Sequence, residues 1–164
     1  MTQSQSNTLK VTTPSDLEIL MTREFNAPPH LVFDAWIKPE HVARWFGLRT
    51  EKTVAEIDFR VGGSYRFVLG DGAGGEMVIQ GEYLEIAPPD RLVCTERFEG
   101  QFFEMMGAGT VNTMVLEDQD GKTFMTLSVL YKSREARDAV LQTGMEEGAA
   151  MSFDRLAELL ETLV

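Results

Sequence analysis

From Asp16 onward the chain alternates apolar and polar positions. Leu17, Ile19 and Met21 take turns with Glu18, Leu20 and Thr22, which predicts a first strand ending near Phe25. Asn26 suits a helix cap and Pro28-Pro29 suits a helix start. Val32, Phe33 and Trp36 then recur at helical spacing. Pro39 restarts a second short helix with Val42, Trp45 and Phe46 on one face, and Gly47 suits its end. Residues 53–59 alternate again, and Val61-Gly62-Gly63 reads as a bend. Tyr65, Phe67 and Leu69 alternate with Arg66 and Val68. After a glycine-rich stretch, residues 77–86 form a longer strand closed by Pro88-Pro89-Asp90. Leu92, Cys94, Glu96 and Phe98 alternate with Val93, Thr95 and Arg97. Residues 110–116 and 123–131 pair around Asp120-Gly121, a strong hairpin signal.

The end is helical. Ser133 suits the cap of a short helix through Leu141, which Thr143-Gly144 interrupts. Met145, Ala149, Phe153, Leu156, Leu160 and Leu163 then place one apolar stripe on a long helix. The expected fold is α+β: strand, two short helices, six more strands and a long C-terminal helix. A seven-stranded antiparallel sheet with one buried face needs a partner, and the long helix has the apolar surface to supply it. A strongly curved sheet gripping one helix encloses a space, so a cavity is expected rather than a solid core. Residues 1–15 are rich in Thr, Ser and Gln and are expected to be a disordered tail; residues 16–164 form the single domain.

Alternation proposes the wall of that cavity. The inward set is Tyr65, Phe67, Met77, Ile79, Tyr83, Cys94, Glu96, Asn112, Met114, Met125 and Leu127. Trp36 and Trp45 join them from the short helices, and Met145, Ala149 and Phe153 from the long one. Gly148, Ala149 and Ser152 remove volume where the helix crosses the sheet; that leaves room for a ligand, or lets helix and sheet pack closely. Met77, Met114, Met125 and Met145 offer thioethers that tolerate varied shapes, or serve as core filler.

Composition narrows the chemistry. The 164 residues carry 15 basic and 26 acidic side chains, a net charge of -11, which argues against nucleic acid as a partner. No run of 18 apolar residues is present, so no membrane span is expected. The polar start has no secretory pattern, and the expected location is the cytoplasm. One cysteine, Cys94, excludes an intrachain disulfide; mid-strand and without a nearby histidine, it reads as packing. His30 and His41, 11 positions apart, make no metal pair. Gly70, Gly72 and Gly75 match G-x-G-x-x-G, but a strand follows rather than a helix, so no dinucleotide site is read and no cofactor is expected.

Glu96 is the sharpest residue. Parity points it inward with Leu92, Cys94 and Phe98, where a carboxyl is costly unless paired or protonated. Tyr83, Asn112 or Tyr131 are candidate hydrogen-bond partners, and Arg66 a candidate ion pair. Glu96 is the one candidate catalytic residue, as an acid or base. The stretch 99–108 carries Phe102, Phe103, Met105 and Met106, which reads as a lid, a homodimer contact or a plug of the core.

These residues together resemble a known family. Phe25-Asn26-Ala27-Pro28, Val32-Phe33-Asp34-Ala35-Trp36, Pro39-Glu40-His41 and Trp45-Phe46-Gly47 look like its first signature. Asp58 with Arg60-Val61-Gly62-Gly63 looks like the second block. Gly81-Glu82-Tyr83, Glu85-Ile86, Pro88-Pro89-Asp90-Arg91-Leu92-Val93 and Thr95-Glu96 look like the third. Tyr131, Glu135-Ala136-Arg137-Asp138 and Gly144-Met145-Glu146-Glu147-Gly148 look like the last. The chain resembles the START-like, or SRPBCC, superfamily in the branch named after the activator of the heat-shock-protein ninety ATPase. The resemblance implies the helix-grip fold of the birch pollen allergen and polyketide cyclases, and a ligand cavity. The additional N-terminal domain of the eukaryotic co-chaperone has no counterpart in these residues, so ATPase activation is not implied.

Three readings follow. The first is binding of a small hydrophobic molecule of lipid, polyketide or aromatic type between sheet and long helix. The second is a polyketide cyclase or aromatase using Glu96 and nearby tyrosines, which an ordered polar cluster around Glu96 would favour. The third is a stress-related protein-interaction module, which a closed core with an exposed apolar patch would favour.

Overall fold

A computed structural model describes residues 9–47, 53–70, 76–99 and 109–164. In chain order, β1 (Lys10–Thr12) and β2 (Glu18–Phe25) precede the short helices α1 (Pro29–Ile37) and α2 (Pro39–Trp45). The strands β3 (Thr53–Ile57), β4 (Ser64–Gly70), β5 (Glu76–Ala87), β6 (Arg91–Glu99), β7 (Thr110–Gln119) and β8 (Lys122–Leu130) follow. The helices α3 (Arg134–Leu141) and α4 (Met145–Leu163) end the chain. All strand pairs are antiparallel, in the order β1-β2-β8-β7-β6-β5-β4-β3. The six strands after α2 therefore run as a meander, and β2 closes onto β8.

The local signals explain most of these elements. β2 alternates half-buried and buried positions along its whole length. The β7–β8 hairpin turns through Asp120 and Gly121, both at positive φ (58° and 84°), the geometry a two-residue turn with the right twist requires. Asp118 Oδ1 accepts from the Gly121 amide at 2.9 Å and fixes that turn. Ser133 Oγ accepts from the Ala136 amide at 3.0 Å and caps α3. Gly144, at φ +81°, separates α3 from α4.

Two expectations need correction. The predicted tail contributes a strand: β1 pairs with β2, Val11 opposite Met21, and Leu9 and Val11 pack on the core. An edge ladder is held by backbone groups, so three residues suffice and leave little trace in the hydrophobic pattern; the sheet has eight strands, not seven. Asn26 does not cap α1; the cap position is Pro28, with no side-chain bond. The Leu31 amide, which such a cap would take, donates instead to the Pro28 carbonyl at 3.0 Å, and Pro29 suits the first helical position.

α4 divides the interior. Its C-terminal half buries Leu156, Leu159 and Leu160 in a solid core with Ile19, Phe25, Val32 and Phe33. Arg23, buried on β2, reaches Asp154 of α4 at 2.6 Å and lies 5.2 Å over the Phe25 ring, tying the first strand to the helix. The N-terminal half of α4 instead borders open space.

Candidate functional site

That space is a cavity of about 610 Å³ between α4 and the inner face of the sheet. Its size lies within the range of small-molecule pockets, roughly 300–1,000 Å³. Three features of the sequence make it. β5 carries a bulge between Tyr83 and Glu85 that leaves Leu84 without a partner and curves the sheet. α4 presents Gly148, Ala149 and Ser152 to the cavity, so the helix stands off without filling it. A chain of aromatic rings closes one end: Trp36 on Trp45 (4.8 Å), Trp45 stacked on Phe153 (6.0 Å), and Trp45 through Phe46 to Phe67 (5.2 and 5.3 Å). Trp45 is anchored by its indole N–H on the Ala35 carbonyl at 2.9 Å.

Every residue proposed from alternation lines this cavity except Met125. Met125 faces inward but is fully buried beside Arg23 and Leu116, in the part of the sheet that α1 covers. Parity fixes the face a side chain points to; it does not fix how far along the strand the cavity extends. Leu92 and Phe98, pointed inward by parity but left out of the proposed set, also line it, and sequence reasoning missed Met21, Phe46, Leu69 and Val129. Leu69, Leu92, Phe98 and Val129 share parity with residues already proposed on their strands, so that signal was present. Phe102, Phe103, Met105 and Met106 lie outside the described residues.

One wall carries the polar chemistry. Tyr65 on β4 faces Gly81 across the β4–β5 ladder. Its ring lies over that glycine, and its hydroxyl donates to the Thr95 carbonyl of β6 at 2.6 Å. A Cβ on Gly81 would sit 1.9 Å from that carbonyl oxygen and 2.8 Å from the ring, so only glycine fits. The Cys94 thiol donates to the Tyr65 hydroxyl at 3.9 Å. Burial, then the neighbouring Glu96 carboxyl, pushes this thiol up to about 12, although the contact with Tyr65 pulls the other way. A thiol held this high is poorly suited to act as a nucleophile near neutral pH.

Glu96 lies on this wall as parity requires. Its remaining accessible surface borders the cavity while protein surrounds the rest. Its hydrogen-bond partner is Asn112 on β7. The Thr110 hydroxyl donates to Asn112 Oδ1 at 2.7 Å, which turns the amide N–H₂ toward Glu96. Burial holds the Glu96 carboxyl above the usual carboxylate range, and the Asn112 bond only partly opposes it. The other candidate partners are not used. Arg66 is exposed on the opposite face, and no ion pair among the described residues includes Glu96. Tyr83 and Tyr131 make no hydrogen bond with it; both phenols are pushed up, first by burial, with Glu96 adding to the effect at Tyr131. Burial, then Glu96, likewise raises Tyr65.

Among the described residues no group of three His, Cys, Asp or Glu side chains could hold a metal ion. No helix among them is long and apolar enough to cross a membrane.

Comparison with known proteins agrees with this geometry. A family model described as Activator of Hsp90 ATPase homolog 1-like protein matches residues 26–161. A sequence comparison with curated proteins finds no match. Among solved structures, a Rhodobacter sphaeroides protein superposes with a TM-score of 0.83 at 25% identity, over 94% of this chain and 99% of that one. An Arthrobacter aurescens protein gives 0.81 at 23% identity, over 93% and 91%. DynU16, described as a protein of the dynemicin biosynthetic locus, gives 0.68 at 24% identity, over 91% of this chain and 48% of its own.

Proposed function

The chain belongs to the family of Activator of Hsp90 ATPase homolog 1-like proteins, and from that premise we propose that it binds a small hydrophobic molecule between the sheet and α4. The observation that carries this reading is the cavity itself: about 610 Å³, walled by aromatic, aliphatic and methionine side chains, with one carboxyl in its polar wall. A space this large and this apolar between the sheet and the helix of a small domain suits a small-molecule occupant. The four methionines on the wall, Met21, Met77, Met114 and Met145, suit ligands of varied shape. The single cysteine fits a reducing compartment, and a cytoplasmic location belongs to this reading.

A second reading, an enzyme acting on the bound molecule, is favoured by the ordered Thr110–Asn112–Glu96 cluster and by the biosynthetic locus of DynU16. In it Glu96, whose carboxyl burial holds above the usual carboxylate range, would act as a general acid toward a carbonyl in the cavity. Native mass spectrometry of protein purified from its own host tests the binding reading. A small-molecule adduct released on collisional activation is the expected result. A bare chain, together with no thermal shift from any apolar compound, would overturn it.

A further inference from the structure

The cavity wall states more than that its occupant is apolar. Among the described lining residues, Glu96 is the only side chain that ordinarily carries charge near neutral pH; no lysine, arginine or histidine lines the space. The nearby arginines are engaged elsewhere. Arg23 is paired with Asp154, and the Arg155 guanidinium donates to the Gly47 carbonyl. Among the described residues, then, a carboxylate drawn into this cavity would find no counter-ion and would meet a second carboxyl group. An uncompensated buried charge is among the most costly arrangements in a protein.

The polar groups of the wall other than Glu96 are neutral. The Tyr65 hydroxyl is committed to the Thr95 carbonyl, and the Thr110 hydroxyl to Asn112. The Asn112 amide is turned to Glu96. The lining also carries the Tyr83 and Ser152 hydroxyls and the Trp36 indole N–H, which is buried without a hydrogen-bond partner; beside these neutral groups the Glu96 carboxyl, in its protonated form, has one O–H to give to a ligand oxygen. We infer that the cavity takes neutral apolar molecules bearing uncharged oxygen, such as a phenol, alcohol or ketone, and turns away their carboxylate analogues, with Glu96 the group that discriminates. This inference rests on the binding reading above and narrows it to a ligand class.

Matched probes test it on the full chain. Isothermal titration at neutral pH compares 4-phenylphenol, 4-acetylbiphenyl and biphenyl-4-carboxylate, which share one hydrocarbon frame and differ in the polar group. The phenol and the ketone are expected to bind at least about tenfold more tightly than the carboxylate. In Glu96→Gln, which removes the carboxyl, the carboxylate probe is expected to bind more tightly than in the parent. The gap to the carboxylate is expected to narrow without closing, because there is still no cation. Equal binding of all three, or tighter binding of the carboxylate, would overturn the selectivity and leave the binding reading standing. An unchanged gap in Glu96→Gln would show that Glu96 is not the discriminating group. If that variant does not fold, the comparison in the parent chain decides. If none of the three binds and none raises the melting temperature, the binding reading fails and this inference with it.

Discussion

Gly81→Ala is expected to damage the cavity wall by a mechanism that can be followed atom by atom. The added Cβ would lie 1.9 Å from the Thr95 carbonyl oxygen and 2.8 Å from the Tyr65 ring. The carbonyl is backbone in the β5–β6 ladder and cannot give way cheaply, so β5 must move or the Tyr65 ring must leave. Overpacking of this kind costs about 1–3 kcal/mol. Displacing Tyr65 also breaks its bond to Thr95, worth about 1 kcal/mol. Alanine returns roughly 0.5–1 kcal/mol through lower chain entropy in the unfolded state. The net expectation is a destabilisation of about 2 kcal/mol, or about 4–8 °C in melting temperature for a chain of this size. Urea unfolding followed by circular dichroism measures it. Tyr65→Phe alone should cost about 1 kcal/mol, and the double variant should cost less than the sum, because the ring and the bond are lost together. A Gly81→Ala protein within about 0.5 kcal/mol of the parent would refute the close approach, since surface-like changes fall in that range.

Other outcomes follow from the same wall and core. Glu96 is held above the ordinary carboxylate range in the folded state, so its contribution to stability is full below about pH 4.3, its unfolded value, and is lost as pH rises through the folded one. Glu96→Gln does not titrate, so its stability relative to the parent should climb from about pH 4 upward; a pH-independent difference in urea midpoints would contradict the buried carboxyl. Cys94, pushed up to about 12, should react with iodoacetamide at pH 8 far more slowly than in the urea-unfolded chain, on the order of a hundredfold or more; comparable rates would refute its burial. Asp154→Ala leaves the buried Arg23 guanidinium without its partner. Because the Asp154 side chain is itself 68% exposed, the expected loss is about 1 kcal/mol rather than that of a fully buried pair; an unchanged or higher urea midpoint would show that the pair does not hold β2 to α4.

The sequence carried this fold well where period and turn chemistry agreed. Strand parity from Leu92 to Phe98 was enough to place Glu96 on the inner face, because a one-residue error would have put Arg97 inside instead. Asp120-Gly121 and Ser133 announced their turn and cap through residues whose physics allows few other roles. What stayed hidden was set by tertiary context. Lys10, Val11 and Thr12 carry almost no pattern and are ordered by the exposed edge of β2. Met125 looks like Leu127 in the sequence, yet one lies in the solid core and the other on the cavity, because only the packing of α1 decides where the space ends. Tyr83 and Asn112 both sit opposite Cys94 on the two strands that flank β6, so strand order does not choose between them; the Thr110 bond that turns the Asn112 amide does, while Arg66 faces outward.

The methionines provide the most direct measurement of whether the cavity holds a ligand. Met21, Met77, Met114 and Met145 line it, Met125 lies in the closed core and Met151 is 49% exposed. With methyl-labelled methionine, titration with 4-phenylphenol should shift the four cavity methyl resonances and leave those of Met125 and Met151 near their starting positions. No shift at the cavity methyls, or a shift confined to Met151, would contradict binding between the sheet and α4.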